Sequence, residues 1–316
     1  MKMTDKNTPV SRRNGLIASG AALLAGQSAS AWDATNQQVA NVVLRRQYVE
    51  GPFGQMHVRM ASPAEEKVNT KPALACFHFT PGSSRMYDQI MPLLATDRTV
   101  MAIDTPGYGA SSPPPSIPKL SDYANAMIAA LTALGHGPSG KPIDLLGHLT
   151  GSLISVELAV TQQKWIRRVV LSRSPAFSAE KRKNYVVEMV ALAEGRKTDM
   201  KGQYLIDRLN RGLGQLRPGE EPALYMGAFI DSVTPGHRWV DGEVAAISYP
   251  AEDKFPLIKQ PVLLFTYPDT VAEEWKRPPG LLKTAMVVHL AEAGPWLWQQ
   301  QADLIAGHVR PFLDRA

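Results

Sequence analysis

Two hydrophobic patterns alternate along the chain after residue 40. Short continuous apolar runs are separated by longer stretches in which apolar residues recur every three or four positions. The first pattern suits buried strands and the second amphipathic helices. Val42 to Val49 and Gln55 to Ala61 read as a hairpin around Gly51-Pro52-Phe53-Gly54. Buried strands are expected at Ala73 to Phe79, Thr99 to Ile103, Ile143 to Leu146, Val169 to Leu171, Val262 to Tyr267 and Met286 to Leu290. Helices are expected at Arg85 to Ala95 with Ser84 as N-cap, at Leu120 to Leu134, at Thr150 to Gln162, and around Gln299 to Leu313. Alternation of this kind argues for an α/β fold with a mostly parallel sheet covered on both faces.

The alternation breaks between Pro175 and Pro256, where the pattern is mostly helical and clearest at Glu180 to Glu194 and Gly202 to Leu213. Residues 175–256 therefore read as a helical cap inserted into a core made of residues 32–174 and 257–316. Ser111 to Pro118, rich in proline and serine, reads as a surface loop.

Charge changes the picture only at the N-terminus. The chain carries a formal net charge of +5, but Lys2, Lys6, Arg12 and Arg13 against Asp5 contribute +3 of it, leaving only +2 for the rest. The densest basic cluster, Lys181-Arg182-Lys183, has the look of a solvated helix face, so nucleic acid is not an expected partner. Ser11-Arg12-Arg13-Asn14-Gly15-Leu16-Ile17, a weakly apolar run to Ala25 and the small residues Ala29-Ser30-Ala31 together resemble a twin-arginine export signal over residues 1–31. That run is too short to span a bilayer, so a periplasmic or secreted mature protein without a membrane span is expected. The single cysteine, Cys76, falls in a predicted buried strand and excludes an intramolecular disulfide.

Three motifs carry candidate chemistry. His78-Phe79-Thr80-Pro81-Gly82-Ser83-Ser84 follows the third predicted strand. Asp104-Thr105-Pro106-Gly107-Tyr108-Gly109-Ala110-Ser111 follows the fourth. Gly147-His148-Leu149-Thr150-Gly151 lies between a strand and a helix. In this order and spacing they resemble the α/β-hydrolase superfamily: its H-G-x-P-G-S oxyanion loop, its D-x-P-G-x-G-x-S turn and its G-x-S-x-G nucleophile elbow. The resemblance covers roughly residues 42–174 and 257–314 and implies about eight strands with a helical cap.

The departures from that family are as informative as the matches. Leu149 stands at the elbow position of the catalytic serine, and a leucine has no nucleophilic atom. Ala291-Glu292-Ala293-Gly294-Pro295-Trp296 aligns with the segment that carries the family's histidine and puts Pro295 in its place. Asp269 lies within one position of the family's acid. What the resemblance leaves is the oxyanion hole, made of backbone N–H groups of Thr150 and of Phe79 or Thr80. Three histidines remain as acid–base candidates, each with a structural alternative; His289, on the last predicted strand, is either a core-edge residue or a partial replacement for the missing base. His78 either holds the oxyanion loop or transfers protons, and His148 either packs away from the substrate or swings into the pocket. Trp296 lines the rim or packs cap against core. No metal-ligand spacing is present and no cofactor is implied.

These readings lead to an exported protein that acts on a small, largely apolar carbonyl or carboxylate compound through a backbone oxyanion pocket, without a serine nucleophile. Two alternatives stay open: an inactive small-molecule binding or sensing protein, and an esterase-like hydrolase with a displaced nucleophile. Oligomeric state is not encoded in any pattern of the chain.

Overall fold

In the computed structural model the described residues are 41–194, 201–216, 220, 222–268, 272–291, 293–294 and 296–315. Eight strands form one sheet: β1 (Val42–Gly51), β2 (Gly54–Pro63), β3 (Leu74–Phe77), β4 (Val100–Ile103), β5 (Ile143–His148), β6 (Ile166–Ser172), β7 (Val262–Thr266) and β8 (Ala285–His289). Their order is β1-β2-β4-β3-β5-β6-β7-β8. β2 runs antiparallel to β1 and β4, and every other pairing is parallel.

The main helices are α1 (Ile90–Leu94), α2 (Leu120–Ala133), α3 (Thr150–Thr161), α4 (Ala179–Glu194), α5 (Gln203–Leu213), α6 (Pro222–Val233), α7 (Asp241–Ser248) and α8 (Ala302–Leu313). The central strands are apolar on both faces because helices cover both. Ala75, Phe77, Leu145, Val169, Leu171 and Leu264 share a buried cluster with Tyr123 and Met127 of α2 and Leu153 and Val156 of α3. The alternate residues, among them Leu74, Cys76, Leu146, Val170, Leu263 and Phe265, pack with Ile90 and Leu94 of α1 and Ile305 and Val309 of α8. This is the two-residue period of a strand written into two separate cores. Burial pushes the Cys76 thiol far up, which suits an inert core residue.

Two elements depart from the sequence expectation. The helix expected at Arg85 to Ala95 is split into a 3-10 turn at Ser84–Tyr87 and α1 at Ile90–Leu94. The cap is Ser83, not Ser84: its hydroxyl accepts from the Arg85 N–H, while the Asp104 carboxylate takes the Ser84 N–H at 2.6 Å. These two anchors tighten the first turn into 3-10 geometry. The C-terminal helix is likewise broken, with a short turn at Leu297–Gln300 before α8.

Between β6 and β7 the described chain is helical, α4 to α7 followed by short turns at Ala251–Lys254 and Phe255–Leu257. Phe177, Met189, Trp239, Val240, Val244 and Ile247 form a small core of their own within this insertion. Among the described residues no helix is long and apolar enough to cross a membrane.

Candidate active site

The C-terminal ends of β3, β5, β6 and β7 converge on one locus, and the backbone there is strained. Leu149 has φ 50° and ψ −116°, and Arg173 has φ 47°. They are the two non-glycine residues with positive φ among the described residues, and each directly follows one of two adjacent strands, β5 and β6. Such outliers persist only where the surroundings hold them. At Leu149 the surroundings are two glycines: a β-carbon on Gly147 would lie 2.3 Å from the Gly151 carbonyl oxygen, and one on Gly151 would lie 2.0 Å from the Phe77 carbonyl oxygen. The sharp turn from β5 into α3 therefore requires glycine on either side of the Leu149 hinge.

The loop after β3 meets this turn directly. Thr80 Oγ1 and Thr150 Oγ1 lie 2.8 Å apart, both buried. Thr150 and Gly151 are the first residues of α3, where N–H groups have no intrahelical acceptor and the helix end favours negative charge. Phe79, Thr80, Leu149 and Thr150 are thus brought together.

His148 sits beneath them. Its Nδ1 is 2.8 Å from Ser172 Oγ, and Ser172 Oγ is 2.5 Å from the Tyr267 hydroxyl. Strand register explains the chain: His148 pairs with Ser172 across β5 and β6, and Ser172 with Phe265 across β6 and β7. The His148 ring is walled edge-on by Phe79 at 6.0 Å and Trp298 at 5.6 Å. Burial, reinforced by the Arg173 charge, pushes its pKa down to about 3, so the ring is neutral at ordinary pH. The Arg173 guanidinium lies 4.5 Å over the Tyr267 ring, a cation–π contact.

His78 is placed differently. Its Nδ1 donates to the Phe79 carbonyl at 2.6 Å and its Nε2 accepts the Thr105 N–H at 2.9 Å. Both nitrogens are consumed by backbone, which fixes the neutral ring with its proton on Nδ1. Burial lowers its pKa against the pull of Asp104. In this geometry His78 braces the loop after β3 against the turn after β4. Asp104 anchors that turn, accepting from the N–H groups of Ser84 and Ala110 and pairing with His57 Nδ1 at 2.8 Å. Burial works to raise its pKa, but these partners hold the carboxyl well below the usual carboxylate range.

Trp296 packs edge-on to Tyr225 of α6 at 5.8 Å, on the side of the helical insertion. Asp269 and Pro295 lie outside the described residues. Ser152, one step past the turn, is spent on the Leu149 carbonyl and on Ser174.

Five further contacts were not legible in the sequence. Ser83 Oγ donates to Asp231 of α6 at 2.7 Å, and Arg85 lies 3.5 Å from the same carboxylate. Burial raises the Asp231 pKa while Ser83 and Arg85 oppose it. Gly242, in the first turn of α7, approaches Thr80 so closely that a β-carbon would lie 2.6 Å from the threonine side chain. The Gly242 N–H donates to the Tyr108 hydroxyl at 2.6 Å, and that hydroxyl donates to the Trp239 carbonyl. Through these contacts the insertion is joined to the loop after β3. Among the described residues no group of three or more His, Cys, Asp or Glu could hold a metal ion.

The model of the alpha/beta hydrolase family matches residues 77–316. The chain belongs to that family. Solved structures with the same fold include a hydrolase from Pseudomonas aeruginosa PA01, 21% identical with a TM-score of 0.70, the match covering 86% of this chain and 99% of that one. An enol-lactonase from Burkholderia xenovorans LB400 is 19% identical with a TM-score of 0.64, covering 85% and 100%. A thermophilic esterase from Thermogutta terrifontis is 16% identical with a TM-score of 0.67, covering 85% and 98%. At these identities the likeness is one of fold. Comparison with curated protein sequences gave no match.

Proposed function

We propose that this alpha/beta hydrolase family member is an exported protein that acts on a small, largely apolar carbonyl or carboxylate compound without a serine nucleophile at its elbow. The observation that carries the reading is Leu149. It occupies the strained turn between β5 and α3 with φ 50°, yet its side chain offers nothing to attack with. A non-glycine residue held in so sparsely populated a backbone region costs about 1–3 kcal/mol. A turn held at that cost, with glycines on either side, serves the direction of its backbone N–H groups. The N–H groups of Thr150 and of Phe79 or Thr80 would receive the substrate oxygen, at a helix end that favours developing negative charge.

His148 is the hydrogen-bonding group in this reading. With Tyr267 donating to Ser172 and Ser172 donating to Nδ1, the neutral ring carries its proton on Nε2 and offers a hydrogen-bond donor to a substrate oxygen. The helical insertion acts as a cap, and Trp296 with Tyr225 contributes apolar wall. Pro295 and Asp269 are assigned to the family's histidine and acid positions on the sequence resemblance alone. Residues 1–31 are assigned as a twin-arginine signal, giving a periplasmic or secreted protein. Changing Arg12 and Arg13 to lysine would then hold the chain in the cytoplasm.

A second reading is favoured by one distance. Ser172 Oγ at 2.8 Å from His148 Nδ1 is a hydroxyl–imidazole pair, the arrangement of an activated nucleophile, and makes an esterase-like enzyme with a displaced serine the alternative.

The test is a panel of small apolar carbonyl and carboxylate compounds, scored for binding and for turnover by the full chain and by His148→Ala. The proposal expects turnover lost in the variant with binding kept. Binding without turnover in both proteins would instead mark a binding or sensing protein.

A further inference from the structure

β1 is the outermost strand at one edge of the sheet, and its register with β2 is continuous from Val42↔Pro63 to Gly51↔Gly54. It contains no proline and no bulge, two of the devices that make a sheet edge unfit for pairing. At 10 residues it is also long, since strands average about 5–6. The bond from the Ala64 N–H to the Asn41 carbonyl fixes which backbone groups turn outward. In an antiparallel pair the residues bonded to the neighbour alternate. Odd-numbered residues of β1 therefore bond β2, and Val42, Leu44, Arg46, Tyr48 and Glu50 direct their N–H and C=O groups away from the sheet. Among the described residues no backbone group bonds to that edge.

The side chains along the edge have little to do within their own chain. Residues 44–48 are exposed, and Tyr48 is 54% exposed. Arg46 stands opposite Arg59, whose guanidinium takes up both Asp88 oxygens. Arg46 itself is exposed and exerts only a charge effect on that carboxylate. Glu50 is exposed and accepts from Gln55 Nε2 at 3.4 Å, a long contact.

Two such edges are self-complementary. Where two copies join one antiparallel sheet across a two-fold axis, facing residues lie on the same side of the sheet. With the axis at Tyr48, Arg46 faces Glu50 of the second copy, Tyr48 faces Tyr48, and Glu50 faces Arg46. These are all outward residues, so each pair can exchange backbone hydrogen bonds. Opposite charges and aromatic pairs directly across a sheet are favourable. On the other face Gln47 meets Val49 and Arg45 meets Gly51, so no like charges are opposed. Sliding one strand by two residues is the smallest step that keeps the faces matched. It sets Arg46 against Tyr48 in one direction and Glu50 against Tyr48 in the other, and both ion pairs are lost.

We propose that this chain forms a two-fold dimer by antiparallel pairing of β1 with β1 of a second copy, centred on Tyr48 and fixed in register by reciprocal Arg46–Glu50 pairs. The interface does not involve Leu149 or His148, and it stands or falls independently of the function proposed for the elbow.

Sedimentation velocity of the full chain over a concentration series tests it. A reversible monomer–dimer equilibrium is expected. Arg46→Glu and Glu50→Arg each bring like charges face to face at both ends of the pairing and should weaken the dimer at least tenfold. The double variant Arg46→Glu with Glu50→Arg reverses both partners and should recover most of the wild-type association. Leu44→Glu lies outside the matched pairs and should associate like wild type. Circular dichroism checks that each variant is folded. A chain that stays monomeric up to the millimolar range would overturn the proposal, as would a dimer indifferent to both single reversals. Failure of the double variant to recover, or loss of the dimer in Leu44→Glu, would overturn the register and the pairing built on it.

Discussion

Gly151 is pressed against the Phe77 carbonyl: a β-carbon there would stand 2.0 Å from the oxygen. This contact joins the first turn of α3 to the end of β3. It holds the N–H groups at the start of α3 beside the loop after β3 whether or not residue 149 can react.

Gly151→Ala is therefore expected to lose at least about 1–3 kcal/mol of stability, because the obstacle is backbone and cannot rotate away. Gly307→Ala is the control: it lies exposed in α8 with nothing near its would-be β-carbon, and it should gain up to about 1 kcal/mol from helix propensity. Urea midpoints of the two variants check both signs. A Gly151→Ala protein as stable as wild type would contradict the tight elbow.

Acid should unfold the protein partly through His148. Its folded pKa is pushed down to about 3 by burial and Arg173, from an ordinary value of 6.5. Below 6.5 the unfolded chain takes up a proton that the folded chain refuses, so stability falls as pH drops from 6.5 towards 3. His148→Gln lacks this term. The stability of wild type relative to the variant should shrink on acidification by up to about 1.4 kcal/mol per pH unit. Parallel pH dependences for the two proteins would mean that His148 is not buried neutral.

Trp298 forms one wall of that histidine and also meets Tyr87 at 5.2 Å. Trp298→Ala should cost about 3–5 kcal/mol as a buried large-to-small change. By admitting water it should raise the pKa of His148. Trp298→Phe should keep most of both properties. The imidazole proton resonances, followed against pH, report the shift.

Asp231→Ala removes the acceptor of the Ser83 hydroxyl and leaves a buried donor unpaired, at a cost of about 1–3 kcal/mol. The loss should be local. Hydrogen exchange is expected to quicken across Pro222–Val233 while β5 and α3 stay protected. Uniform quickening would show that the contact supports the whole domain instead of the insertion.

Much of this architecture was legible in the chain. The period-two and period-3.6 patterns marked all eight strands and the main core helices, because a doubly covered sheet leaves continuous apolar runs. The 84–95 segment was misread because its first turn is governed by Asp104, which is remote in sequence. Helices α6 and α7 were not delimited because their pattern is interrupted by proline and glycine. At the candidate site, motif spacing pointed to Thr80, Leu149 and Thr150, and the structure brings Thr80 against Thr150 beside Leu149. The partnership of His148 with Ser172 and Tyr267 was not legible, because it depends on the register of three parallel strands. The role of Gly242 emerges only when α7 is laid on Thr80.

Leu149→Ser with Pro295→His restores the side chains that the family resemblance places at these positions. Weak ester hydrolysis by the double variant is expected, measured with a chromogenic acyl ester. A folded but silent double variant would count against that alignment.

The most direct test of the central claim is labelling of the full wild-type chain with a fluorophosphonate, read by intact and peptide mass spectrometry. The nucleophile-free account predicts no adduct on the folded protein. Stoichiometric labelling of a single serine, with Ser172 beside His148 as the foremost candidate, would contradict it and establish a displaced nucleophile.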